Sequence, residues 1–171
     1  SAHKIHGPKG IGALFVRAAG RAPLAPLMFG GGQQSGLRPG TLPTHQIAGF
    51  GLACELAGTA RQAQDARVTV LRDRLWSQLE SLGGVTLNGD GAPRVPHILN
   101  VSFDGVDGES LVSALPDLAV STGAACNSAL GEPSSVLRAL GRFLRQAESA
   151  LRFSFGRFTS DEDIEAAAGQ V

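Results

Sequence analysis

The spacing of hydrophobic positions changes along the chain, and the changes divide it. Ile11 to Val16 form a short unbroken apolar run after a glycine-rich turn, the pattern of a buried strand. Residues 18–29 hold two prolines and few polar groups and are expected to be irregular. Gly30-Gly31-Gly32, Gly36 and Gly40 predict a tight loop or hairpin, where backbone must bend or approach something closely. Thr44 is expected to cap a helix starting after Pro43. Ile47, Phe50, Cys54 and Ala57 then recur at helical spacing. Val68, Leu71, Leu75, Leu79 and Leu82 continue it in steps of three and four until Gly83-Gly84. One long helix, or two with a break near Gly58, fits this stretch. Cys54 lies on the apolar stripe and reads as a core residue.

Beyond Gly84 the period shortens. Val85 to Leu87 reads as a short strand. Leu99, Val101 and Phe103 alternate with Asn100 and Ser102, as in a half-buried strand. A helix fits Gly108 to Leu115 and is stopped by Pro116. Leu118 to Ser121 reads as a strand, residues 122–135 as a loop, and Val136 to Leu140 as a short helix ended by Gly141. Leu151, Phe153 and Phe155 alternate with Arg152 and Ser154, giving a last strand. Ser160 and Asp163 have capping-box spacing at the start of a final helix. Mixed strands and helices of this kind predict an α/β or α+β fold. The expected organisation is the end of a larger domain over residues 1–50, then a connecting helix and a small complete domain over 51–171.

Composition narrows the function classes. Of 171 residues, 43% are hydrophobic and 18% charged, the net charge is zero and the pI is about 6.9. That is an ordinary globular composition, with no basic footprint for nucleic acid and no attraction to an anionic membrane. No apolar run approaches the roughly 20 residues of a membrane span. No signal-peptide pattern opens the chain, and its start without Met reads as that of a fragment. Two cysteines cannot build a disulfide framework, so Cys54 and Cys126 read as reduced thiols of a cytoplasmic protein.

Thirteen arginines and two lysines supply the positive charge, and both lysines, Lys4 and Lys9, fall in the first ten residues. An arginine stays charged, whereas a lysine amine can lose its proton and attack an aldehyde. Lys4, just ahead of a Gly/Pro turn, could be held rigidly with its amine in a cleft; the plain alternative is a surface lysine on a turn. Ser1 and His3 beside it offer a hydroxyl and an imidazole that could hold a phosphate. Cys126 sits among small residues without apolar periodicity, which predicts an accessible thiol; the alternative is a small buried hydrophobe. Arg152, on the polar face of an apolar strand, could clamp a carboxylate with two parallel hydrogen bonds or form an ordinary ion pair. The stretch through Arg38-Pro39-Gly40-Thr41 could bind an anion with backbone N–H groups and the Thr41 hydroxyl, or be a simple hairpin. His45 and His97 have no metal-ligand spacing and read as structural.

Taken in order, these segments resemble one family. SAHKIHGPKGIGALFVR resembles the cofactor-lysine signature of the cysteine desulfurases. GGGQQSGLRPGTLPTHQ resembles their glycine-rich segment, STGAACNSALGEPSSVLRALG the active-site cysteine loop of the long-loop group I class, and LRFSFGRFTSDEDI the strand and helix that close the small domain. The resemblance implies the C-terminal part of a fold-type I transferase: the end of the large-domain sheet plus a small α+β domain. It implies pyridoxal 5′-phosphate as cofactor, L-cysteine as substrate and a homodimer. Carried over by motif position, Lys4 would be the cofactor lysine and Ser1 and His3 would hold its phosphate. Thr41 would reach the phosphate of the neighbouring subunit. Cys126 would carry the sulfur to an acceptor protein, for iron–sulfur clusters or tRNA thiolation, and Arg152 would bind the substrate carboxylate. Two departures stand out. Gln34-Ser35 replace the family's usual Glu-Arg. The residues that stack on, and hydrogen-bond to, the cofactor ring in the family have no counterpart here, so these 171 residues alone are expected to bind cofactor poorly and turn over little. Alternatives within and outside the class are a selenocysteine lyase, an aminotransferase, and a non-catalytic docking fragment.

Overall fold

The computed structural model describes residues 1–17, 24–122 and 134–171. The chain divides into two units, Ser1–Arg61 and Gln62–Val171, and the division falls inside one helix. That helix, α1 (Thr44–Glu80), is continuous over 37 residues, about 55 Å at 1.5 Å per residue. Gly58 does not break it. The hydroxyl of the next residue, Thr59, donates to the carbonyls of Glu55 and Leu56, both at 3.1 Å, and stays within the helical turn. Thr44 lies inside the first turn and is not its cap: the Pro43 carbonyl accepts from both Gln46 N and Ile47 N at 3.0 Å. Gly83 and Gly84, with φ of 74° and 66°, end the helix in a conformation that side chains resist.

The second unit is a small α+β fold. Three antiparallel strands, β1 (Val85–Leu87), β2 (Ile98–Phe103) and β3 (Ala150–Ser154), lie in that order. The register places Leu99 opposite Phe153 and Val101 opposite Leu151. Their shared face is the core. Val68, Leu71, Leu75 and Leu79 of α1, and Ile164 and Ala167 of α5 (Asp161–Gln170), close over it. The alternation anticipated in both strands is thus the alternation that folds, and α1 presents the anticipated stripe up to Leu79. Leu82, expected to continue it, lies beyond the helix and is exposed.

Helix ends are set by side chains. Asp107 Oδ1 accepts from Ser110 N at 2.8 Å and opens α2 (Gly108–Ala114). Ser160 and Asp163 form the expected reciprocal capping box, with Asp163 N donating to Ser160 Oγ at 3.2 Å and Ser160 N to Asp163 Oδ2 at 2.9 Å. Arg67 ties α1 to the turn before α5 through the carbonyls of Gly156 (3.0 Å) and Arg157 (2.8 Å). On the other face of the sheet, α3 (Ser135–Ala139) and α4 (Leu144–Glu148) form a second, small apolar cluster of Leu137, Ala147 and Ala150. The short helix α4 carried no apolar period long enough to be read from sequence.

Two expected strands do not form. Leu118 to Val120 fold back on themselves, with Leu118 N bonded to Leu115 O (3.1 Å) and Val120 N to Leu118 O (3.0 Å), so only Ser121 bridges Arg152. Ile11 to Val16 is also not a strand. Its run is exposed, Leu14 by 79% and Phe15 by 86%, and the described residues of Ser1–Arg61 contain no strand to pair with it. A strand's backbone polar groups need a ladder, so without a neighbour the apolar run stays open and the expected end of a large-domain sheet is absent from the described residues. Cys54 is likewise exposed, not core. The buried position beside it is Ala53, one residue round the helix, which packs on the turn at Gly7.

Candidate active site

The segment around Lys4 is a single 3-10 turn, Ala2–Ile5. Its backbone is closed by Lys4 N to Ser1 O (3.2 Å), Gly7 N to Ala2 O (2.9 Å) and Ala2 N to Ile11 O (3.0 Å). His6 takes the left-handed conformation (φ 64°) that reverses the chain. The turn sits directly on α1. A methyl group on Gly7 would meet Cβ of Ala2 and of Ala53 at 3.0 and 3.1 Å, and one on Gly49 would meet Pro8 Cγ at 2.8 Å. Gln46 Nε2 donates to the Lys9 carbonyl at 2.9 Å. Small residues are therefore required on both sides, and the Lys4 backbone is fixed by them. The side chains of Ser1, His3 and Lys4 are all exposed. The cleft expected around the Lys4 amine is not built by the described residues of this unit.

The glycine-rich segment is a tight, irregular turn over Gln33–Gly36. Gln34 (φ 52°) and Ser35 (φ 57°) both adopt the left-handed region, at a cost of roughly 1–2 kcal/mol each. The turn is held by Gly40 N donating to Gln33 Oε1 at 3.1 Å, which leaves Thr41 exposed at its end.

Arg152 is placed by β3 on the sheet face opposite the core, across from Asn100. Its backbone is doubly held by Ser121, with its N–H donating to Ser121 O at 2.7 Å and its carbonyl accepting from Ser121 N at 3.3 Å. Its side chain is half-buried and Nε is fully buried without a hydrogen-bond partner. Among the described residues its guanidinium makes no ion pair. A buried guanidinium N–H without a partner is costly, and the ordinary ion pair weighed from the sequence is absent among the described residues. Cys126 lies outside the described residues.

The same sheet face holds a polar chain that the sequence reading missed. Arg142 Nε donates to Asn88 Oδ1 (2.7 Å) and Arg142 Nη2 to the Leu87 carbonyl (2.6 Å). Asn88 Nδ2 donates to Asn100 Oδ1 (2.7 Å) and to Ser102 Oγ (2.9 Å), and Ser102 Oγ donates to the Gln146 carbonyl at 2.6 Å. Ser102 is fully buried. Only the alternation of Asn100 and Ser102 in β2 hinted at this face; their partners are distant in sequence.

The donor set fits one end of pyridoxal phosphate. Ser1 and His3 precede Lys4 at the start of one turn, all three exposed, so a hydroxyl and an imidazole suited to a phosphate lie within three residues of an amine suited to an aldehyde. No described residue is assigned to the ring.

A model of the family "Aminotransferase class-V" matches residues 1–167. The chain belongs to the class-V aminotransferase family. Within it, the chain is 54% identical over all 171 residues to the cysteine desulfurase IscS of Pseudomonas aeruginosa strain LESB58, and spans 42% of that protein's length. A solved structure described as a NifS-like protein superposes with a TM-score of 0.85 at 32% identity, covering 99% of this chain and 43% of that one. Another, described as SspA in complex with cysteine, gives a TM-score of 0.64 at 32% identity over 94% of this chain and 44% of that one. The chain thus spans about two fifths of the length of the relatives it matches. The α/β fold of a class-V aminotransferase is thereby common to this chain and its NifS-like neighbours.

Proposed function

We propose that the protein is a pyridoxal-phosphate-dependent cysteine desulfurase that converts L-cysteine to L-alanine and leaves the sulfur on Cys126. The observation that carries this reading is the 54% identity, over the whole chain, to a cysteine desulfurase. A family neighbour solved with cysteine supports the substrate. The intact enzyme is proposed to be cytoplasmic and homodimeric, and to hand its sulfur to an acceptor protein. Thr41 would complete the phosphate site of the partner copy.

Ser1 and His3 would donate hydrogen bonds to the cofactor phosphate, and Lys4 would hold the cofactor's aldehyde carbon. Bound there, pyridoxal phosphate supplies an electron sink for bond breaking at the substrate α-carbon. Lys4, freed once substrate binds, accepts the α-proton and returns it as a general base and acid. Arg152 pairs with the substrate carboxylate. The Cys126 thiolate attacks the substrate sulfur: a new S–S bond forms, the Cβ–S bond breaks, and its electron pair stays with the carbon product. Protonation of that carbon completes L-alanine.

The test is assay of sulfide and L-alanine from L-cysteine by the intact enzyme, with an added thiol reductant that releases the Cys126-bound sulfur as sulfide. Cys126→Ala is expected to abolish sulfide release while the visible cofactor absorbance remains, and Lys4→Ala to remove both. Undiminished sulfide from the Cys126→Ala enzyme would sink the role given to Cys126, and conversion of L-cysteine to its keto acid that survives Cys126→Ala would leave an aminotransferase. Release from selenocysteine but not cysteine would turn it into a selenocysteine lyase.

A further inference from the structure

We propose that Asn100 is a second ligand for the substrate carboxylate, beside Arg152, and that a polar relay from Arg142 turns its amide to that task. The proposal rests on Arg152 binding the carboxylate. The two residues are direct cross-strand partners, Asn100 on β2 and Arg152 on β3, so their Cβ atoms stand about 4.5–5.5 Å apart on one sheet face. Both are half-buried.

Hydrogen-bond polarity decides what Asn100 shows. An asparagine amide has one accepting and one donating end, and their placement follows from the partners. Arg142 can only donate, so the Asn88 atom at 2.7 Å from its Nε has to be the oxygen. The other end of the Asn88 amide is therefore the NH2 group. It donates to Asn100 at 2.7 Å and to Ser102 Oγ at 2.9 Å. Ser102 can accept because its own proton goes to the Gln146 carbonyl at 2.6 Å. The Asn100 atom facing Asn88 is then its oxygen, and its NH2 group is left over. Among the described residues nothing accepts from that NH2 group.

The result is a pair of donor groups on neighbouring strands: the Arg152 guanidinium, whose Nε has no partner, and the NH2 group of the half-buried Asn100. The apolar cluster of Leu137, Ala147 and Ala150 lies at the Ser102–Ala150 end of this face, one residue pair along from Asn100 and Arg152. Two N–H donors, one of them cationic, match the two oxygens of a carboxylate. The pair selects for an α-amino acid and against a thiol amine without a carboxylate. An asparagine suits this better than a second cation, because it adds a donor without repelling Arg152.

The test compares Asn100→Ala and Asn100→Asp with Arg152→Ala in the holoenzyme. The readouts are KM and kcat for L-cysteine, calorimetric affinity for L-alanine, and melting temperature. Loss of one hydrogen bond to a charged group raises KM and weakens L-alanine binding by about tenfold in Asn100→Ala, with kcat little changed. Asn100→Asp binds more weakly still, since its second oxygen faces the carboxylate and neutralises Arg152. Melting temperatures run in the opposite order: Asp keeps the bond from Asn88, and Ala loses it. A purely structural Asn100 would give one order in both readouts, with Ala worse than Asp, and that result overturns the proposal. So does an unchanged KM in both Asn100 variants while Arg152→Ala raises it, which leaves the Arg152 reading standing. An unchanged KM in Arg152→Ala removes that reading and this one together.

Discussion

The two units differ in what holds them together. In Gln62–Val171 a sheet face and two helices enclose Leu75, Leu79, Leu99, Val101 and Leu151 with 1% exposure or less. Among the described residues of Ser1–Arg61 the buried apolar ones are Ala2 and Ala53, while Leu27, Phe15 and Phe29 are 95%, 86% and 86% exposed. The second unit is held by burial of large side chains. The first is held by backbone turns seated on a helix through alanine, glycine and proline. Yet the first carries Ser1, His3, Lys4 and Thr41, which are proposed for the cofactor, and the second carries Arg152, which is proposed for the substrate. Local motif geometry and a hydrophobic core are separate products of the sequence, and this chain supplies them in different places.

The largest expected effect follows from that difference. Residues 62–171 expressed alone should melt in one cooperative transition, and residues 1–61 should show none, by calorimetry and by circular dichroism near 222 nm. An isolated first unit that melts cooperatively would mean its turns are worth more than its two buried alanines suggest. Next, Leu75→Ala should destabilise the chain by about 2–5 kcal/mol in denaturant titration, because the truncated side chain leaves a cavity. The matching change at Phe15, exposed by 86%, should be within about 0.5 kcal/mol of neutral. Equal losses at both sites would erase the contrast between the units.

Gly108→Ala comes third. The new methyl would press on the Glu148 carbonyl, backbone at the end of α4 that cannot swing aside. Overpacking of this kind costs about 1–3 kcal/mol. Gly49→Ala, which presses on Pro8, is its counterpart in the first unit. It should shift the Lys4 turn while leaving the melting of residues 62–171 unchanged. Fourth, Ser160→Ala removes one half of the α5 capping box, at about 1 kcal/mol in urea titration.

How much could be read in advance follows the same line. The elements of the second unit were legible because their apolar residues obey one period over several turns or pleats: Val68 to Leu79 for α1, Leu99 to Phe103 for β2, Leu151 to Phe155 for β3. The capping box at Ser160 and Asp163 is local and equally legible. Ile11 to Val16 has a strand's composition, but whether it pairs depends on a neighbour that composition does not contain. Cys54 and Ala53 are adjacent on α1, and which of them is buried depends on the seat of Gly7, forty-six residues away by their numbers. The place of Arg152 on the polar face of β3 was legible from alternation alone. The hydrogen-bond polarity of Asn100 was not, because it is imposed through Asn88 by Arg142.

The smallest predicted effect separates capping from core burial by pH. Asp107 is exposed, and its carboxyl lies below its ordinary value of 3.8, chiefly because it accepts the backbone N–H of Ser110 and then that residue's hydroxyl. A depressed folded-state value means the unfolded chain binds the proton more tightly. The cap therefore contributes fully above about pH 3.8 and is lost as pH falls below it. Asp107→Asn keeps an oxygen that can accept but has no carboxylate to protonate. Between pH 5 and pH 3 its melting temperature should fall less than that of the parent chain. Parallel curves for the two proteins would show that acid acts on the second unit elsewhere and that the start of α2 is held by packing at Gly108 instead of by charge.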